Sequence, residues 1–409
     1  MYSEIDRCRI CGDTSQLSIL SLGEQYLTGV FPAAPDEKIT KGPLDLLWCS
    51  KCSLVQMKQS YDLREMYGDN YGYRSGLNSS MVGHLSRKIH ALEKQIGLKH
   101  SDLVVDIGSN DATSLRAYTI PCKRIGIDPT GEKFRRFYKN DIELIPGFFD
   151  GATLRNCVNG QKARIITSIA MFYDLPDPNR FTKDISESLA IDGVWHFEQS
   201  YMPSMLRTNS YDTICHEHLE FYSFGVIKTL LESNGLRIID VQMNAINGGS
   251  FAITASLRDA TFGSNLPIIN WMLHQEEDLE LDTPKPYRDF EYRVYHHRKD
   301  LVGLVQNLVA DGKRIFGYGA STKGNVLLQF CGFTTEQIPF VAEVNEEKFG
   351  HYTPGTNIPI ISEKEARAMR PDYFLVLPWH FKSSVLDRES KFLEEGGKFI
   401  FPLPEIEII

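Results

Sequence analysis

Apolar residues follow two rhythms along the chain. Short, nearly unbroken runs at 103–107 (LVVDI), 124–128 (RIGID), 163–168 (ARIITS) and 193–200 (GVWHFEQS) end at a glycine, an acid or a polar residue. Runs of that kind predict strands buried on both faces. In MVGHLSRKIHALEKQIGL, 81–98, apolar positions recur at a 3.6-like spacing, which predicts a helix. Strand, glycine turn, helix start, strand and acid over 103–128 make a βαβ unit. A second strand, glycine turn and helix is predicted at 313–325 (KRIFGYGASTKGN), and 373–378 (YFLVLP) predicts a strand leading into Trp379-His-Phe-Lys382. Between the two units, Asn247-Gly-Gly-Ser-Phe251 turns into the strand FAITASL. A polar, acidic, proline-containing boundary at 274–289 and a mostly helical stretch to Asp311 follow. The pattern predicts an α/β protein.

The 409 residues suggest two to four domains. With 44 Lys+Arg against 53 Asp+Glu, the net charge of −9 argues against a nucleic-acid-coating protein. Apolar content of 42% and charged content of 24% are ordinary for a globular chain. No apolar run approaches the roughly 20 residues that span a bilayer, and MYSEIDRC lacks a signal-peptide core. We expect a cytoplasmic protein with neither nucleic-acid nor membrane partners.

Four of eight cysteines cluster near the start: Cys8-Arg-Ile-Cys11 and Cys49-Ser-Lys-Cys52 are two CxxC knuckles. Facing knuckles give the tetrahedral sulfur cage that Zn²⁺ prefers, and four thiolates leave no open position, so the predicted site is structural. A thioredoxin-like pair or free thiols are the alternatives. The intervening LSILSLG and LDLLWC predict a small sheet.

The segment 61–84 is rich in Tyr, Gly, Asn and Ser. Its tips Tyr67, Tyr71 and Tyr73 suit either surface packing or a ligand lid. Beyond it, the first βαβ strand ends in Asp106-Ile-Gly108-Ser-Asn110 rather than GxGxxG. An acid there receives a pyrophosphate poorly and a cationic sulfonium well. This motif resembles that of the class I S-adenosylmethionine-dependent methyltransferases, with Ala112 in place of the last glycine. In that fold Asp128 serves the ribose, and the strand end from Ser168 through Met171 to Phe172 lies against the cofactor. Glu198, Gln199 and Ser200 emerge from another strand end.

His216-Glu217-His218 lies in NSYDTICHEHLEFYSF. A metal site lacks HExxH spacing; a core histidine beside a solvated glutamate is possible; so is acid/base catalysis, because a neighbouring carboxylate can tune an imidazole. The CxxC pair, VDIGSND, TSIAMFYDLPDP, FEQSYMPSM, YDTICHEHLEFYS, NGGSF, GYGASTKGN, LPWHFK and GGKFIFPLPEIEII together resemble the nucleotide-sugar C-methyltransferases of branched deoxysugar biosynthesis, in order over nearly the whole chain.

The resemblance implies a zinc-binding domain (1–75), a class I methyltransferase domain (76–275) and a Rossmann-like substrate domain (276–409). It implies methylation at C3 of a dTDP-linked 4-keto deoxyhexose, with His218 as base, Glu217 its companion, and Tyr73 and Tyr222 positioning the sugar or stabilising the enolate. GYGASTKGN matches neither a P-loop nor GxGxxG well. It serves either as a bare crossover or, given the resemblance, as the place where Ser321, Thr322, Lys323 and Asn325 meet the nucleotide sugar, Lys323 suiting its pyrophosphate. An O- or N-methyltransferase on another substrate, or an inactive zinc-bearing scaffold hinted at by Ala112, are the competing readings.

Overall fold

The computed structural model describes residues 2–67, 73–139 and 141–409. Tyr71 lies outside them. Three larger sheets organise the chain. The first pairs Gln16–Tyr26 with Lys41–Cys49, as the two apolar pieces between the knuckles predict, then Val55–Met57. Its fourth strand, Glu220–Phe221, comes from the segment just after His218 and runs antiparallel to Val55–Met57.

The central sheet contains β1 (Leu103–Ile107), β2 (Lys123–Asp128), β3 (Ile142–Pro146), β4 (Ala163–Ile169), β5 (Leu189–Ser200), β6 (Leu236–Asn244) and β7 (Ser250–Leu257) in the order 3-2-1-4-5-7-6. Strands 1 to 5 are parallel; β7 is antiparallel to both β5 and β6. Apolar side chains cover both faces: Val104, Ile165 and Val194 on one side, Val105, Ile166 and Trp195 on the other. That double burial is why the strands read as runs rather than alternations. Strand order reverses between β1 and β4, where ligands of such sheets collect. The predicted helix is Ser79–Ile96, capped by the Asn78 side chain and stopped at Gly97, φ 61°.

The third sheet repeats this order: β8 (Ile315–Tyr318), β9 (Val341–Glu343), β10 (Ile360–Ser362), β11 (Tyr373–Val376), β12 (Lys398–Phe401) and β13 (Glu407–Ile408) run 10-9-8-11-12-13. Its switch point falls between β8 and β11, so GYGASTK and LPWHFK emerge side by side. They are packed so closely that a Cβ on Gly319 would lie 2.7 Å from Pro378. No described helix is long and apolar enough to cross a membrane.

Candidate active site and metal centre

The four knuckle sulfurs lie within 4.8 Å of one another, with Cys8–Cys52 and Cys11–Cys49 Sγ pairs at 3.5 Å. A tetrahedron with Zn–S bonds of about 2.3 Å has S···S edges of roughly 3.8 Å, so this donor set fits Zn²⁺. The knuckle also braces the HEH segment. Arg9 Nη1 donates to Met57 O at 2.6 Å, and its Nε lies 3.6 Å from Glu220, both side chains being buried. Met57 N donates to Leu219 O at 2.8 Å.

At the first switch point, Gly108 (φ 73°), Asn110 (φ 50°) and Ala112 (φ 60°) alternate through the left-handed region. A Cβ on Gly108 would sit 3.0 Å from Met171 Cγ. Asp106 is 3% exposed and accepts from Thr167 Oγ1 at 2.5 Å, with no cation paired to it among the described residues. Burial raises its pKa to about 7, and Asp128 adds to the rise. A buried acid without a cation fits a sulfonium or ammonium group. Asp128 is partly occupied, accepting from Asn110 N at 2.8 Å and Thr130 N at 2.6 Å. The Asn110 side chain donates to Tyr73 O at 3.2 Å and accepts from Ser75 N at 3.0 Å, tying the tyrosine-rich segment to this loop. Ser168 turns into the core, accepting from Trp195 Nε1 at 2.8 Å. Glu198 is likewise engaged, with His84 at 2.7 Å and Lys88 at 2.6 Å.

The two histidines of the HEH segment have opposite surroundings. His216 is buried, and its Nε2 faces Gln25 O at 3.2 Å. A carbonyl only accepts, so Nε2 carries the hydrogen and this ring is a brace. His218 Nδ1 faces Thr213 O at 2.7 Å. Nδ1 therefore carries the hydrogen, and the Nε2 lone pair is left to take a proton. The Tyr173 ring packs on it edge-on, centroids 4.4 Å apart. Burial, then the Lys323 charge, pushes His218 down to about 3.

Glu217 is 8% exposed, and burial raises its carboxyl above the ordinary range. A Cβ on Gly29 would lie 2.2 Å from Glu217 Oε1 and 3.6 Å from Thr322 Oγ1. All three sheets' segments thus converge at Glu217. Tyr222 is placed elsewhere: its ring stacks on Phe172 at 5.4 Å, its buried hydroxyl has no hydrogen-bond partner among the described residues, and Glu220 is the strongest-acting charge on it, followed by Arg9. Tyr73 is half-exposed at 49%.

From the third sheet, Ser321 Oγ accepts from Gly324 N at 3.0 Å, capping helix Thr322–Cys331. Asn325 is fully buried and donates to Thr28 O at 2.8 Å. Lys323 Nζ reaches across to Asn247 O at 3.1 Å. Trp379 Nε1 donates to Asp212 Oδ2 at 2.8 Å. The turn Tyr211–Thr213 therefore holds His218 through one residue and Trp379 through its neighbour. Thr213, Asp212, Tyr173 and Arg9 were not singled out from the sequence. They lie inside the quoted motifs, but their roles come from fold contacts that the spacing of those motifs does not show.

Two family models match the chain: a C-methyltransferase C-terminal domain over residues 245–404 and a zinc binding domain over residues 8–67. The chain is 33% identical to the C-methyltransferase NovU of Streptomyces niveus over 99% of its own length and 97% of that protein's. A solved S-adenosylmethionine-dependent methyltransferase from Clostridium acetobutylicum aligns with 43% of this chain and 92% of its own, at 14% identity and a TM-score of 0.34. Magnesium protoporphyrin IX methyltransferase from Synechocystis covers 47% and is itself covered over 91%, at 16% identity and a TM-score of 0.33. Likenesses at that level carry no argument about the site.

Proposed function

Because the chain belongs to the C-methyltransferase family, we propose that it methylates C3 of a nucleotide-linked 4-keto deoxyhexose, of dTDP type, through an enolate that His218 generates. It is an S-adenosylmethionine-dependent methyltransferase with a structural zinc site at Cys8, Cys11, Cys49 and Cys52. The bound cofactor supplies an electrophilic methyl. Asp106, Gly108, Asn110, Asp128 and Met171 would hold it, Ser168 instead being turned to Trp195.

The observation that carries the reading is His218, fixed through Nδ1 with the Nε2 lone pair free to accept a proton. A proton alpha to a ketone can leave to such a base when the oxygen takes the charge. Glu217 accompanies it. Tyr73, tied to the cofactor loop through Asn110, positions the sugar, and Tyr222 acts by packing behind the site. Lys323 and Thr322 meet the substrate, with Ser321 and Asn325 setting their helix. Segments 1–75, 76–275 and 276–409 are the corresponding domains of a cytoplasmic enzyme.

Reactions with a panel of nucleotide-linked 4-keto sugars, read by mass spectrometry and NMR, test this. A new methyl carbon bonded to the ring carbon alpha to the ketone supports it. A methyl on oxygen moves the enzyme to the O-methyl reading, and failure to bind S-adenosylmethionine in calorimetry moves it to the scaffold reading.

A further inference from the structure

Two side chains in the C-terminal loops that meet the Tyr211–Thr213 turn keep polar atoms that are not spent on holding the fold together. Lys323 Nζ makes one hydrogen bond, to Asn247 O at 3.1 Å, and no ion pair among the described residues. An ammonium has three donors to offer. Its neighbours in the same loop are engaged, Ser321 as a helix cap and Asn325 on Thr28. His380 follows Trp379, whose indole is latched to Asp212. Its Nδ1 is shut off from solvent and has no partner among the described residues. Gly248 fixes the third side of this corner: a Cβ there would lie 3.2 Å from the Trp379 ring, and Gly248 adjoins the Asn247 that holds Lys323.

The corner is shared with the base. Asp212, which anchors Trp379, and Thr213, which anchors His218, are consecutive residues of one turn. The Lys323–Asn247 and Trp379–Asp212 contacts bring these loops to that turn, and the Lys323 charge acts on His218, Asp212 and His380 in keeping with it. Burial, then Lys323, holds His380 down to about 3, which keeps it a neutral imidazole with one N–H to donate. A neutral imidazole beside an ammonium is a competent electrophilic pair for a developing oxyanion.

We propose that Lys323 and His380 receive the substrate's carbonyl oxygen, so that the C-terminal half supplies the electrophilic side of the reaction whose base is His218. This rests on the enolate reading above. When the C–H bond alpha to the ketone breaks, its proton goes to His218 Nε2. The electron pair forms the C=C bond, and the carbonyl π pair moves onto oxygen, facing Lys323 and His380. The new C–C bond then forms as the sulfonium C–S bond breaks, and the carbonyl is restored. Lys323 is thereby assigned to the reacting ketone rather than to the diphosphate.

The test is deuterium uptake from D₂O into a dTDP-4-keto-2,6-dideoxyhexose at saturating sugar, with S-adenosylhomocysteine bound. It is read for the wild type, Lys323→Met, His380→Phe and His380→Gln, each verified for zinc content and cofactor binding. Exchange falling about 10²-fold or more in Lys323→Met and His380→Phe is expected, the scale of losing one oxyanion donor. His380→Gln, which keeps an N–H, is expected to recover at least about tenfold over His380→Phe. Normal exchange in either Lys323→Met or His380→Phe, with dTDP binding weakened in Lys323→Met, overturns the proposal and returns Lys323 to the diphosphate. Equal rates in the two His380 variants overturn the hydrogen-bond role. A wild type that methylates an oxygen and exchanges no deuterium removes the enolate reading itself, which is a separate result.

Discussion

The carbonyl of Thr213 accepts the Nδ1 hydrogen of His218 at 2.7 Å, and this contact decides which ring nitrogen can act as a base. A carbonyl has no hydrogen to give, so the ring has one tautomer and the lone pair is on Nε2. Replacing His218 by Gln or Ala is expected to lower turnover by at least about 10²-fold while cofactor binding persists. Near-normal turnover at saturating sugar would sink the role.

The pH behaviour of the same residue has a definite sign. With its pKa pushed down to about 3, His218 is unprotonated and competent throughout the neutral range. At saturating cofactor, kcat/KM is expected to show no acid limb near pH 6.5 that belongs to this residue. An acid limb there that disappears in His218→Gln would contradict its buried position.

Asp106 is shifted the other way: burial holds its carboxyl up at about 7, so its charge is lost as pH falls through neutrality. If it balances the cofactor's positive charge, affinity for S-adenosylmethionine weakens by about tenfold per unit as pH drops below 7. Calorimetry from acid to mildly alkaline pH reads this slope, and Asp106→Asn is expected to flatten it.

Arg9 and Glu220 form a buried pair 3.6 Å apart that joins the zinc knuckle to the strand after His218. Arg9→Met strands the Glu220 charge and is expected to cost about 3–5 kcal/mol in urea unfolding. Arg9→Met combined with Glu220→Gln should regain a large part of it. Additive losses would show that the two do not interact. Removing zinc by chelation is expected to lower activity as well as stability, because Met57 holds Leu219 next to the HEH segment.

Gly29 leaves room for Glu217, since a Cβ there would lie 2.2 Å from its Oε1. Gly29→Ala is expected to displace the carboxyl and reduce kcat about tenfold or more with zinc content unchanged. Ala112 (φ 60°) works the other way: Ala112→Gly should relieve left-handed strain and raise stability by about 0.5–1 kcal/mol without weakening cofactor affinity. Thermal unfolding and cofactor titration read both.

Local features were legible before the fold was known. Matched CxxC knuckles specify a thiolate cage, apolar runs ending in DxGxN or GYG specify strand-to-loop transitions, and the 3.6-like spacing of 81–98 specifies the helix that the structure shows over Ser79–Ile96. Ser168 and Asn325 show the limit. A run buried on both faces does not tell which way one of its polar residues turns, and Ser168 turns to Trp195. Nor does a glycine-rich loop tell which of its polar residues is spent internally, as Asn325 is on Thr28.

The sequence by itself determined the metal ligands, the α/β plan and the identity of the HEH segment, because each depends on residues close together in the chain. Only the tertiary structure decided which ring nitrogen of each histidine is tied to a carbonyl, and which loops of the C-terminal half meet the turn beside them. Those answers rest on single contacts between distant segments: His216 with Gln25, Lys323 with Asn247, Trp379 with Asp212. Such contacts have no period or spacing in the chain. They exist because the chain between the sheets is folded so that segments far apart in sequence meet at the turn Tyr211–Thr213 and the residues after it.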